Sequence, residues 1–245
     1  MKIMNSILNI QYKESLCLDL HLPEGSAFPL FVYFHGGGLC SGSKDVGEEF
    51  AKMFTDRGIA LAAVDYRMYP DAKFPDFIED SAQSIRFLKD NIGTWGACTG
   101  IFAGGSSAGG YISMMLCFDK RFLNAVEMSP LEITGWIHDA GQPTSHFNVL
   151  QELGKDSRRL IVDETAPLYF VGLEESYSPM RFILATQDMF GREEQTMLTM
   201  KTLEHFGHKD KISLSTFPGQ HVCYVGTDAF AECIANFIFD CLEKV

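Results

Sequence analysis

The chain has 245 residues, 46% of them apolar and 21% charged, with a formal net charge of −12. Such a length and composition suit one soluble α/β domain with a sizeable core. With no basic cluster beyond the pair Arg158-Arg159, this acidity excludes nucleic acid as a partner and leans only weakly towards neutral substrates.

At the N-terminus, residues 1–10 have the length of a short signal peptide, but Asn5, Ser6 and Asn9 interrupt the apolar run and no small-residue cleavage site follows. No stretch of about 18 apolar residues occurs, so no membrane span is expected. Residues 15–22 and 29–34 read as strands, and residues 48–57 as a helix closed by Gly58. Residues 59–64 form an unbroken apolar run, the pattern of a buried strand. Across residues 76–92, Ile78, Ala82, Ile85, Leu88 and Ile92 recur every three or four positions and predict an amphipathic helix ended by Gly93. Residues 100–103 read as a strand and 110–116 as a helix, with a glycine-rich turn between them. Further on, the pattern predicts strands over 133–138, 181–187 and 211–217, and a helix over 192–206 closed by Gly207. Phe230, Cys233, Ile234, Phe237 and Cys241 mark the packed face of a last helix. This alternation predicts an α/β fold with a mostly parallel central sheet and helices on both faces. Residues 143–163 lack a pattern and read as a short cap-like insertion within one domain, over the sheet edge where ligands bind.

Seven cysteines, an odd number without CxxC spacing, read as free thiols of a reducing cytoplasm rather than a disulfide framework. They show no metal-ligand clustering, so no metal is expected. Cys40 and Cys223 fall beside the motif loops described next and read as small wall residues.

Two motifs carry chemistry. The strand ending at Phe34 runs into His35-Gly36-Gly37-Gly38, where a glycine run exposes backbone N–H groups to a ligand. Gly105-Ser106-Ser107-Ala108-Gly109 lies between a strand and a helix, the context of a sharp turn that lifts a serine hydroxyl clear of the sheet. Glycine stands two positions away on both sides of Ser107, whereas Ser106 is followed two positions on by Ala108, so Ser107 is the nucleophile candidate. A helix N-terminus there favours developing negative charge.

With Asp65-Tyr66-Arg67-Met68-Tyr69-Pro70, these stretches resemble the α/β-hydrolase superfamily, in particular its esterase/lipase group similar to hormone-sensitive lipase and to bacterial feruloyl- and acetyl-esterase-like enzymes. The chain departs from that pattern at Ser106, often acidic in relatives, at Leu39, often aromatic, and at Met189, which replaces a proline. The resemblance implies an α/β-hydrolase fold and a triad in the chain order serine, acid, histidine. His221, after the last strand and before the final helix, fits the base. Asp188 at the end of the strand over 181–187 fits the acid, with Asp139 at the end of the preceding strand as the alternative. His205 and His208 sit at a helix end and read as structural, and His35 as a brace of its own loop. The expected oxyanion donors are the N–H groups of Gly37, Gly38 and Ala108. Leu39, Tyr66, Ser106, Tyr111, His146 and Phe147 are candidate substrate contacts. The implied function is a cytoplasmic carboxylic-ester hydrolase acting on a small-molecule ester without a cofactor. An amidase or arylformamidase-like enzyme would use the same triad, and a non-catalytic receptor on this fold would be expected to lack the histidine.

Overall fold

The structure is a computed structural model and describes residues 5–244. In chain order its elements are β1 (Asn5–Lys13), β2 (Leu16–Leu22), β3 (Ala27–Phe34), α1 (Glu48–Thr55), β4 (Ala60–Val64), α2 (Asp76–Asn91), β5 (Ala97–Ser106), α3 (Ala108–Phe118), α4 (Arg121–Asn124), β6 (Gly135–Asp139), α5 (Phe147–Glu152), α6 (Pro167–Phe170), β7 (Met180–Gln187), α7 (Arg192–His205), β8 (Ile212–Gln220) and α8 (Asp228–Leu242).

Eight strands form one sheet in the order β1-β2-β4-β3-β5-β6-β7-β8. β2 is antiparallel to both β1 and β4, and every other neighbouring pair is parallel. The predicted strands and helices are all present, with ends that differ by a few residues. β1 was not expected. Of the N-terminal residues weighed as a signal peptide, 5–10 lie in this edge strand, and residues 1–4 lie outside the described residues. No helix among the described residues is long and apolar enough to cross a membrane.

Both faces of the sheet are covered, which is why its middle strands are continuous apolar runs rather than alternating ones. On β3, Leu30, Val32 and Phe34 point into a core shared with Phe77, Ile78, Ile85 and Leu88 of α2 and Tyr111, Ile112 and Met115 of α3. Phe31 and Tyr33, one residue out of phase, pack with Phe50 and Phe54 of α1 and Phe230, Ile234 and Ile238 of α8. The helix periodicity read over 76–92 is the α2 contact face, with Ile92 buried in the 3-10 turn that follows.

This order also places the site. From β3 the chain crosses to β4 on one side, then returns past β3 to β5 on the other. The strand order therefore reverses at β3, and the carboxyl ends of β3 and β5 open a crevice where α/β sheets bind ligands. The motif after β3 and the serine turn after β5 meet there.

Candidate active site

Ser107 sits between β5 and α3 with φ 57° and ψ −111°, a backbone conformation uncommon for a residue with a side chain. Tight packing holds it there. A methyl group at Gly109 would stand 1.9 Å from the Phe34 carbonyl oxygen, and one at Gly105 would stand 2.2 Å from the same atom. Only glycine lets the elbow press against the end of β3. The Ser107 N–H donates to the Asp139 carbonyl at 2.8 Å, tying the turn to β6 as well.

The Ser107 hydroxyl lies 2.9 Å from Nε2 of His221, and Nδ1 of His221 lies 2.6 Å from Oδ1 of Asp188. His221 follows β8 and Asp188 follows β7, so the loops after β5, β7 and β8 supply the three side chains. Asp188 also accepts the N–H groups of Met189 at 2.7 Å and Ala185 at 3.2 Å. Burial by itself would raise the Asp188 carboxyl, but the His221 hydrogen bond and these N–H groups outweigh it and hold the carboxyl below its ordinary value.

Asp139 is placed differently. Its side chain is buried and accepts the Tyr224 hydroxyl at 2.5 Å, while its second oxygen has no partner among the described residues. Burial pushes this carboxyl up to about 7, against the lowering effect of the Ser106 and Tyr224 hydroxyls and of His221. The structure thus brings Asp188, not Asp139, to the imidazole.

The loop after β3 lies against the nucleophile: a methyl group at Gly36 would stand 3.4 Å from Cβ of Ser107. Gly37, at φ 116°, turns the chain so that its carbonyl accepts the N–H groups of Cys40 and Ser41, both at 3.1 Å. The N–H groups of Gly37, Gly38 and Ala108 have no hydrogen-bond acceptor among the described residues. Such donors are free to meet an oxyanion. His35 braces this loop, with its ring stacked on Tyr66 at 4.3 Å and Nδ1 2.7 Å from the Gly36 carbonyl.

The candidate substrate contacts divide by burial. Leu39 and Tyr111 are wholly buried core residues, and the Tyr111 hydroxyl donates to the Thr165 carbonyl at 2.6 Å. Tyr66 is also buried and donates to the His35 carbonyl at 2.7 Å. Ser106 points into the sheet, where its hydroxyl accepts from Tyr33 at 3.2 Å. His146 is buried and caps α5, accepting the Asn148 N–H at 3.2 Å. Phe147 is half-buried, and its ring tip would stand 3.7 Å from a methyl group at Gly38. The 143–163 segment touches the loop through Asn148, whose amide donates to the Gly38 carbonyl at 2.5 Å.

All seven cysteines are free, with Cys40 and Cys223 exposed beside the loops carrying Gly38 and His221. Three residues of this region had no sequence signal: Asn148, Tyr224 and Arg192. Arg192 opens α7 and reads in sequence as an ordinary first-turn residue, yet its side chain is buried.

The BD-FAE family model matches residues 18–129 of this chain. The probable isoprenylcysteine alpha-carbonyl methylesterase ICMEL2 of Arabidopsis thaliana is 33% identical over 122 residues, 49% of this chain and 28% of that protein. The carboxylic ester hydrolase LipN of Mycobacterium tuberculosis is 30% identical over 116 residues, 46% of this chain and 31% of that protein. The match thus spans less than a third of these curated relatives' own lengths. Among solved structures, a truncated carbohydrate esterase from gut microbiota superposes with a TM-score of 0.81 at 15% identity, covering 98% of this chain and 96% of that one. Esterase B from Lactobacillus rhamnosis gives 0.79 at 16% identity, covering 98% of this chain and 86% of that one. These likenesses establish the fold.

Proposed function

We propose that the chain is a member of the esterase/lipase group of the α/β-hydrolase superfamily and that it hydrolyses carboxylic esters of small or medium acyl groups through an acyl-enzyme on Ser107. The observation that carries this reading is the hydrogen-bonded chain Ser107 Oγ, His221 Nε2, His221 Nδ1, Asp188 Oδ1, with links of 2.9 and 2.6 Å. A serine hydroxyl is a weak nucleophile until a base takes its proton, and the second nitrogen of that base must be held by an acceptor.

The steps follow from that geometry. Ser107 Oγ bonds to the acyl carbon as its proton passes to His221 Nε2. The carbonyl oxygen becomes an oxyanion facing the N–H groups of Gly37, Gly38 and Ala108. Collapse breaks the bond to the alcohol oxygen, which takes the proton from His221. Water then adds to the acyl carbon with His221 again as base, releasing the acid and restoring Ser107. Asp188 keeps the proton of the neutral imidazole on Nδ1 and stabilises the imidazolium. The free thiols favour a cytoplasmic setting.

A fluorophosphonate probe tests the reading, because such reagents are captured by an activated hydroxyl beside an oxyanion hole. Mass spectrometry after proteolysis should place the adduct on Ser107, with loss of p-nitrophenyl butyrate hydrolysis in step with labelling. An adduct on Ser106, or none on folded protein, refutes it.

A further inference from the structure

Arg192 is a buried cation that makes no ion pair among the described residues. It is 4% exposed, and both Nε and one terminal nitrogen are buried without a hydrogen-bond partner among the described residues. The other terminal nitrogen reaches only the Met189 sulfur, at 3.8 Å. Arginine is almost never buried unless paired, because removing its charge from water costs several kcal/mol. Burial lowers the guanidinium to about 10, which still leaves it charged at neutral pH. The carboxylate whose charge reaches it is Asp188, and that group is already held by His221, Met189 and Ala185.

Its position is defined by two loops at the carboxyl edge of the sheet. The first turn of α7 docks on the loop after β6, where the Thr144 hydroxyl donates to Oε1 of Gln195 at 2.8 Å. The Gln142 amide in turn donates to the Ser145 carbonyl at 2.9 Å and fixes that loop. The charge of Arg192 is felt by His146, whose imidazole is driven down to about 3 first by burial and then by that charge. The His146 ring stacks on Phe147 at 4.3 Å, and Phe147 faces Gly38 of the oxyanion loop. A neutral imidazole that accepts through Nδ1 carries its proton on Nε2, so it too is a donor. Arg192 therefore stands at the loop that carries the triad acid, through its contact with Met189, and makes no ion pair of its own among the described residues.

We propose that Arg192 is a specificity-determining residue that anchors a carboxylate carried by the substrate, so that the preferred substrates are esters bearing a negative charge. This inference rests on the hydrolase reading above and names the substrate class of the same site. A guanidinium meets a carboxylate with two parallel hydrogen bonds either through Nε and Nη2 or through its two terminal nitrogens, and in Arg192 both forks include Nη2, whose one contact is the weak acceptor Met189 Sδ at 3.8 Å.

The test compares matched esters on the wild-type protein and on Arg192→Met and Arg192→Lys. For charge on the acyl side, the pairs are the p-nitrophenyl hemiesters of glutaric and adipic acid against p-nitrophenyl butyrate. For charge on the alcohol side, the pair is 4-acetoxybenzoate against 4-acetoxybenzamide. The wild type should favour the charged member in one of these sets. Arg192→Met should lower its kcat/KM by roughly 10- to 100-fold, the worth of hydrogen bonds to a charged group, and leave the neutral ester within about threefold. Arg192→Lys, which keeps the charge and loses the fork, should fall between. Hydrolysis of neutral esters with no preference for either charged set overturns the inference and leaves the hydrolase reading standing, whether or not the variants fold. An equal loss on charged and neutral esters in Arg192→Met also overturns it, because Arg192 would then act through Asp188. No turnover of any ester and no Ser107 adduct overturns the hydrolase reading itself and the inference with it.

Discussion

Replacing Asp139 with Asn should make the protein more stable than the wild type as pH rises, and the size of the effect follows from burial. Asp139 is 1% exposed, with one oxygen accepting from Tyr224 and the other unpartnered. Its carboxyl is pushed up to about 7 in the fold, chiefly by desolvation. An unfolded aspartate titrates at about 4, and moving a carboxyl from there to about 7 corresponds to roughly 4 kcal/mol. The sign follows from proton counting. Between these values the folded state holds a proton that the unfolded state has released, so stability falls as pH rises. The contribution of the neutral carboxyl is complete below about pH 4 and is lost once pH passes the folded value near 7. Asn is neutral throughout, and its oxygen can still accept from Tyr224. The stability of Asp139→Asn relative to wild type should therefore shift by about 4 kcal/mol in favour of the variant between pH 4 and pH 8. Urea unfolding of both proteins across that range measures the difference directly, with other titrating groups cancelling. Parallel stability curves would refute the argument and show Asp139 to titrate alike folded and unfolded.

The same variant separates the two acids by activity. Asp188→Asn leaves the imidazole without its acceptor and should cost roughly 10⁴ in kcat, as in the serine-protease precedent, whereas Asp139→Asn should lose less than about tenfold; the reverse order in a p-nitrophenyl ester assay would reassign the acid. Gly37→Ala and Gly38→Ala should each lower kcat by about 10²–10³ through a displaced oxyanion donor. The two should differ in thermal melts: a Cβ at Gly37 would stand 1.9 Å from the Ser41 carbonyl oxygen and force the turn to move, while one at Gly38 meets two side chains, the Asn148 amide at 3.0 Å and the Phe147 ring tip at 3.7 Å. Full activity in both would place the oxyanion donors elsewhere.

What could be read from the sequence was local. β3 and β4 are unbroken apolar runs because helices cover both faces of the sheet, and such a run can be recognised without knowing its neighbours. The elbow is legible for a similar reason, since Gly105 and Gly109 record the close approach of β3 within five residues of chain. β1 has no comparable signature. It is an edge strand, exposed at four of its nine positions, and two register shifts against β2 break the period-two pattern that would reveal it. The pocket candidates suffered from the same limit. Leu39, Tyr66 and Tyr111 stand next to motif residues in the chain, but adjacency in sequence does not say which way a side chain points, and all three are buried.

The groups without a sequence signal are those whose role is set by distant partners. Tyr224 meets Asp139 across 85 positions, and Asn148 meets Gly38 across 110. Arg192 is the sharpest case, because the sequence points the other way. A net charge of −12 suggests a weak preference for neutral substrates. That figure counts every side chain equally, although exposed charges interact through water and are largely screened beyond about 8 Å at physiological salt. A guanidinium that is 4% exposed acts through a much lower dielectric, so at short range it outweighs many solvated carboxylates. The local field that a bound substrate meets is therefore set by where the arginine lies, and the overall charge governs only the approach. On that argument the anionic surface and the preference for an anionic ester are compatible, the first acting on encounter and the second on binding.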